Sequence, residues 1–231
     1  MPRPLIYGHR GSSFDHPENT RAAFMAAIAD GADGFECDLR LTKDNQVVIW
    51  HDSNMSRMAN HKAVVAHTGY SELKEIYPEL MLLTELLDIA QEHKKSLALE
   101  TKHPVPSGNE VENKVVELVK PYKDLDIALL SFSWLAIEKV VRFETGLETV
   151  ALVNALNAPI MNRFSSAQSF APSIEEIRKQ PELVAKYQSE GKRVFVWTVN
   201  EITDLKLCAQ LGVDVVITDM PARAVSELGY P

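Results

Sequence analysis

Cysteine is nearly absent, with Cys37 and Cys208 the two thiols in 231 residues. Neither stands in a spacing that holds a metal. The expectation is a cytoplasmic protein with reduced thiols and no structural disulfide, Cys37 on the outward face of a strand and Cys208 on a late helix. Long apolar runs are missing as well. Nothing approaches the roughly 20 residues of a membrane span, and Met1-Pro2-Arg3-Pro4 runs straight into the first strand without a signal-like segment. Stable membrane insertion is therefore not expected. Positive charge is in short supply, 24 Lys and Arg against 32 Asp and Glu, a net charge of -8. That argues against a general binder of nucleic acid or anionic membranes. An anionic substrate has to be drawn by a local positive site, because the overall field repels it. Low-complexity runs, repeats and linkers are also lacking, so residues 1–231 read as one domain, long enough to bury a sizeable core. The sequence carries no signal of oligomeric state.

What is present is an alternation. A hydrophobic content of 45% with 24% charged residues is ordinary for a soluble globular protein. Apolar runs at 5–8, 34–41, 47–50, 96–101, 127–132, 149–153, 193–199 and 215–218 read as strands. Between them, 3.6-period stripes predict helices opening after Pro17-Glu18-Asn19-Thr20, after an N-cap at Thr84, and over 110–120, 134–144, 173–189 (interrupted at Pro181), 202–211 and 222–228. Residues 53–70 and 155–170 are the least legible, the second expected to be loops around a short strand near 168–170. Strands alternating with helices imply parallel pairing and right-handed crossovers. About eight such units favour a TIM-type (β/α)8 barrel, with an open doubly wound sheet as the alternative. A small insertion of about residues 53–80 falls between strand 2 and the following helix.

In a barrel, the C-terminal strand ends build the active site. Those ends carry His9 and Arg10, Glu36 and Asp38, His51, Glu100 and Lys102, then Trp197, Asn200 and Asp219. The two-residue strand period puts Glu36 and Asp38 on one face, opposite Phe35, Cys37 and Leu39. Glu100 and Lys102 likewise share a face, opposite Leu97 and Leu99. Clustered carboxylates repel each other unless a cation joins them, and three of them suit one divalent cation, Mg2+ or Ca2+. Arg10 and Lys102 suit phosphate oxygens. His9 and His51 can divide acid and base work across a phosphoester. Each residue also has a plainer reading. Glu36 and Asp38 could pair with Arg40, Glu100 with Lys102 could form a solvated edge, and Trp197 could simply pack. Met55, Met58 and Met81 read as filler; His61, His67, His93 and His103 read as surface residues.

The motifs resemble the glycerophosphodiester phosphodiesterase family. His9-Arg10-Gly11 with Pro17-Glu18-Asn19-Thr20 matches its opening block. Glu36-x-Asp38, Thr42-Lys43-Asp44 and Val48-x-x-His51-Asp52 with Arg57 match the second, and Glu100-x-Lys102 the third. Ser131-Phe132, Val196-Trp197-Thr198-Val199-Asn200 and Ile217-Thr218-Asp219-x-Pro221 match later blocks. The resemblance implies a TIM-type barrel, one divalent cation and hydrolysis of glycerophosphodiesters to sn-glycerol 3-phosphate and an alcohol. It implies acid/base roles for His9 and His51, metal ligation by Glu36, Asp38 and Glu100, and substrate contacts from Arg10, Lys102 and Trp197. Phe14, His16, Ala59 and His61 depart from the residues common in the family, beside the mouth, where they bear on substrate preference. The competing readings are a lysophospholipase D or phospholipase C-like enzyme, and a non-catalytic binding module that keeps the barrel.

Overall fold

The structure, a computed structural model, describes residues 3–108 and 110–229; the opening Met1-Pro2 lies outside the described residues. Eight parallel strands close on themselves: β1 Leu5–His9, β2 Gly34–Leu41, β5 Ser96–Thr101, β6 Ile127–Ser131, β7 Glu148–Val153, β8 Ser169–Pro172, β9 Arg193–Val196 and β10 Val215–Thr218. Pairing runs β1-β10-β9-β8-β7-β6-β5-β2, and β1 with β2 completes the ring. The open-sheet alternative is thereby excluded. The second half of β2 outruns β1 and pairs antiparallel with β3, Val47–Ile49, which pairs in turn with β4, Met81–Leu82. This ribbon leads out of the barrel wall and back.

Helices follow the strands: α1 Arg21–Ala29, α2 Ser56–Ala59, α3 Tyr70–Ile76, α4 Leu83–His93, α5 Glu110–Val119, α6 Trp134–Arg142, α7 Ala158–Phe164, α8 Ile174–Lys179, α9 Glu182–Ser189, α10 Ile202–Leu211 and α11 Pro221–Glu227. The alternation along β2 decides what goes where. Phe35, Cys37 and Leu39 are fully buried outside the barrel against Leu86 and Leu87 of α4 and Val115 of α5. Burying one such large side chain stabilises the fold by about 1.5–3 kcal/mol. The opposite face of the strands fills the barrel interior with Tyr7, Ala98, Leu130, Val150, Phe195 and Val215. That packing stops at the C-terminal ends, where Glu36, Asp38 and Glu100 replace apolar residues.

The segment between β3 and β4 has its own small cluster of Trp50, Met55, Val65, Leu73 and Leu80. Its irregular sequence hides α2 and a 3-10 turn at Val65–His67, both too short for a periodic signal, whereas 72–76 does read as a short helical turn and falls within α3. Similarly, α7 occupies the stretch expected to be loop. Its seven residues leave Ile160 and Phe164 exposed, so no apolar stripe marked it. Thr84 is not the cap of α4. Leu82 takes that place, and the Glu85 carboxylate accepts from the Leu82 backbone N–H at 2.8 Å. An acidic residue in the first turn satisfies the orphan donor from inside the helix. The interruption at Pro181 separates α8 from α9 as expected. Cys37 and Cys208 are both free and buried.

Candidate active site

The turn after β1 begins the site. Arg10 and Gly11 are consecutive residues with positive φ, 56° and 88°. A Cβ on Gly11 would lie 2.5 Å from the Ala23 carbonyl carbon, so the turn requires glycine there. It folds the chain back, with the Gly11 N–H donating to the Gly8 carbonyl at 3.2 Å and the Arg10 N–H to the Glu36 carbonyl at 2.9 Å.

Register assembles the carboxylates. His9 stands opposite Glu36 across β1–β2, and Asp38 opposite Glu100 across β2–β5. One oxygen each from Glu36, Asp38 and Glu100 lies within 4.8 Å of the others. All three groups are buried. Lys102 Nζ is 2.6 Å from Glu100 Oε1 and 3.0 Å from Asp38 Oδ1; Arg10 Nε is 3.0 Å from Asp38 Oδ2. Asn19, also at positive φ, donates through Nδ2 to Asp38 Oδ2 at 2.9 Å.

The charges sort themselves by neighbour. Burial and the Asp38 and Glu100 charges push Glu36 up to about 8. Burial opposes ionisation of Asp38 too, but Lys102 and Arg10 outweigh it and hold this carboxylate well below its usual range. Glu100 is raised by burial and by Asp38. Hard oxygen donors and mutual repulsion within one buried cluster make a set that fits a divalent cation.

The two histidines flank this cluster. His9 Nδ1 lies 2.6 Å from Asp219 Oδ1, and His51 Nδ1 lies 2.7 Å from Asp52 Oδ1. A carboxylate only accepts, so each short contact places a proton on Nδ1 and leaves Nε2 for chemistry. His9 Nε2 is 3.8 Å from Glu36 Oε2. Burial lowers the His9 pKa, but Asp219 and Glu36 outweigh it and raise the group above its ordinary value. Burial, helped by Lys102 and Arg10, lowers His51 despite Asp38. The basicities of the two rings thus shift in opposite directions, His9 up and His51 down.

These groups line a cavity of about 280 Å3. His9, Arg10, Glu36, His51, Glu100 and Lys102 form one wall; Leu130, Phe132, Leu152, Trp197 and Ile217 form the other. Asp38 lies fully buried beneath it. Trp197 is fixed by its Nε1, which donates to the Ala171 carbonyl at 2.7 Å, and by an edge-on contact with Phe132 at 5.3 Å.

The profile of the Glycerophosphoryl diester phosphodiesterase family matches residues 9–223, a span that takes in every group just described. The chain belongs to that family. Among relatives, the glycerophosphodiester phosphodiesterase of Bacillus altitudinis is 30% identical over 235 residues, covering 95% of this chain and 96% of its own. The solved glycerophosphodiester phosphodiesterase of Thermotoga maritima superposes with a TM-score of 0.85 at 26% identity, covering 98% of this chain and 99% of that one. An Oleispira antarctica phosphodiesterase, solved with the product sn-glycerol-3-phosphate, also gives 0.85, at 24% identity, over 98% and 97% of the two chains.

All eight residues singled out from the sequence of this family member therefore meet at one place. Arg40 does not pair with Glu36 or Asp38; its Nε donates to the His51 carbonyl at 2.8 Å and anchors that strand end. His103 is not a surface residue, since its Nε2 lies 2.7 Å from Oε1 of the fully buried Glu112. The carboxylates behind the histidines, Asp219 and Asp52, carried no assigned role in the sequence. Asp219 is held by Asn200 Nδ2 at 2.6 Å and Ser13 Oγ at 3.0 Å. Asp52 adjoins His51 in sequence, which is the signal that could have found it.

Proposed function

We propose that the chain hydrolyses glycerophosphodiesters to sn-glycerol 3-phosphate and an alcohol, with His9 as general acid and His51 as general base. The observation that carries this reading is the pairing of a three-carboxylate cluster with two carboxylate-tethered histidines in one cavity. Glu36, Asp38 and Glu100 would hold one divalent cation, Mg2+ or Ca2+. That cation supplies positive charge for the phosphate oxygens.

Arg10 approaches Asp38 through Nε and Glu18 through Nη1, which leaves Nη2 for a phosphate oxygen. Lys102 stands on the same wall. Charge builds on the non-bridging oxygens as the phosphoester breaks, and fixed cations are worth most at that moment. His51, held neutral by burial, accepts the proton of the nucleophile through Nε2. His9, whose pKa is raised, gives a proton from Nε2 to the leaving alkoxide oxygen. The nucleophile is water, or the substrate's own glycerol hydroxyl by way of a cyclic phosphate. The alcohol group lies along Trp197 and Phe132. Residues 53–80 serve as a small cap on a single domain, and the two free thiols fit a reducing, cytoplasmic setting. No helix among the described residues is long and apolar enough to cross a membrane.

The test uses glycerophosphocholine and an analogue whose leaving group is p-nitrophenol, which departs without a proton. Wild type releases sn-glycerol 3-phosphate and choline in equal amounts. His9→Ala loses roughly 100- to 10,000-fold in kcat on the natural diester and regains most of it on the analogue; His51→Ala loses as much and is not rescued. Equal rescue of both variants would overturn the division of labour.

One observation favours a second reading, lysophospholipase D. Asn157 Nδ2 donates to the carbonyls of Leu152 and Phe132, fastening the next loop above the apolar wall, and Leu156 on that loop is 91% exposed. An acyl chain on the glycerol could leave the cavity along that side. Hydrolysis of lysophosphatidylcholine in preference to glycerophosphocholine would select this reading.

A further inference from the structure

Glu18 sits in the loop between β1 and α1, outside the cavity wall and outside the carboxylate cluster. Its carboxylate nevertheless joins two arginines from distant segments. Oε1 accepts from Arg10 Nη1 at 3.0 Å and from Arg57 Nη2 at 2.6 Å; Oε2 accepts from Arg57 Nη1 at 3.0 Å. Arg57 in turn donates through Nε to Asp52 Oδ2 at 2.7 Å, and Asp52 Oδ1 is the partner of His51 Nδ1. A continuous run of charge-assisted bonds therefore leads from Arg10 to the His51 ring through Glu18, Arg57 and Asp52.

The branches at its two ends differ in how else they are held. The His51 main chain is fixed by Arg40 Nε on its carbonyl, so the strand end stays in place without Glu18. The ring is another matter. Its Nδ1 rests on Asp52, and Asp52 is steadied by Arg57, a half-exposed side chain pinned by Glu18. At the other end, Glu18 draws Arg10 Nη1 away from the carboxylates. Without it, the guanidinium keeps Asp38, 3.0 Å from Nε, as its ion-pair partner and loses the contact that sets Nη1 and with it the direction of Nη2.

We propose that Glu18 is a positioning residue that couples the placement of Arg10, the phosphate contact, to the ring orientation of His51, the base. The inference rests on the roles given to those two residues above. It makes Glu18 the branch point: a change there disturbs both ends, whereas a change at Arg57 disturbs the His51 end alone.

The test compares Glu18→Gln and Arg57→Gln in the full chain, with unfolding temperature as the folding control. Binding of sn-glycerol 3-phosphate by calorimetry reads the Arg10 end. Steady-state kcat on glycerophosphocholine and the 15N imidazole signals of His51 read the other end. Glu18→Gln should weaken sn-glycerol 3-phosphate about tenfold, lower kcat roughly 10- to 100-fold, and alter the His51 tautomer signature. Arg57→Gln should lower kcat and alter the His51 signature while leaving sn-glycerol 3-phosphate affinity within about twofold. In a His51→Ala background, Glu18→Gln should lower kcat by less than it does in the wild type, because the loss through the His51 end is already taken and only the loss through Arg10 remains.

Unchanged affinity in Glu18→Gln, an unchanged His51 signature in either variant, or a full additional kcat loss in the His51→Ala background would overturn the coupling. If Glu18→Gln does not fold, the Arg57→Gln split decides: lost affinity there contradicts the branch point. If wild type fails to hydrolyse the diester, the functional reading fails, while affinity and the His51 signals still report on the coupling.

Discussion

His9 Nδ1 and Asp219 Oδ1 stand 2.6 Å apart, although 210 positions separate them in the chain. The contact joins the first barrel strand to the end of the last, β1 to β10, which are neighbours only because the barrel closes. Asp219 itself is drawn down to about 2, since the His9 bond, the Asn200 and Ser13 donors and the His9 charge outweigh the opposing effect of burial.

Asp219→Asn should lower kcat roughly 100-fold, because the amide neither fixes the Nδ1–H tautomer nor supports the charged ring. The limb of the pH–rate profile that belongs to His9 should move to lower pH. Burial then acts on that ring with less opposing negative charge. An unmoved profile would mean that Asp219 has no electrostatic hold on His9.

Glu36 sets a pH dependence of stability. Its pKa in the folded, metal-free chain is about 8 against an ordinary 4.5. Between those values the folded state keeps a proton that the unfolded state has released. The native state therefore binds more protons there, and this group's contribution to stability falls as pH rises through that window. A bound divalent cation takes the place of the proton. Its stabilising effect should grow from pH 5 to pH 8, and Glu36→Gln should flatten the metal-free curve. Thermal melts at pH 5, 6.5 and 8, with chelator or with cation, measure both; a cation effect independent of pH would contradict the assignment.

Much of this was legible in the sequence, for identifiable reasons. The two-residue period of β2 and β5 separated inward carboxylates from outward Cys37, Leu39 and Leu99, and burial enforces that separation. The bounds of β2, β5, α10 and β10 follow from long, clean patterns. What the sequence hid depends on tertiary context. The helix α7 has no apolar stripe to read, and β4 is two residues that exist as a strand because β3 lies beside them. Arg40 was credible as a carboxylate partner by proximity, yet it faces the His51 carbonyl. His103 gave no sign of the buried Glu112 beneath it. The Asp219–His9 pair required knowing that the sheet closes.

Arg10→Lys should lower kcat/KM by about 10- to 100-fold, the loss of one or two charge-assisted hydrogen bonds. A lysine at this position carries the charge but has a single nitrogen, so it cannot approach Asp38, Glu18 and the substrate together. Near-normal kcat/KM would show that charge alone suffices.

Gly11→Ala should destabilise the fold by about 2–3 kcal/mol, from the positive φ and the collision with the Ala23 backbone. For a chain of this size that is a fall in Tm of about 5–10 °C. The Arg10 turn shifts with it, so activity should fall even well below the new Tm. An unchanged melting temperature would mean the turn can open without cost.

The dependence of hydrolysis on the carboxylate cluster is the most direct measurement. Release of sn-glycerol 3-phosphate from glycerophosphocholine is followed in the wild type after exhaustive chelation and again after Mg2+ or Ca2+ is restored. The same titration is run on Glu36→Gln, Asp38→Asn and Glu100→Gln. The account predicts loss of activity on chelation, recovery with one of the two cations, and in each variant either no recovery or a demand for far more cation. Full wild-type activity in chelator, or variants that respond to cation as the wild type does, would contradict it.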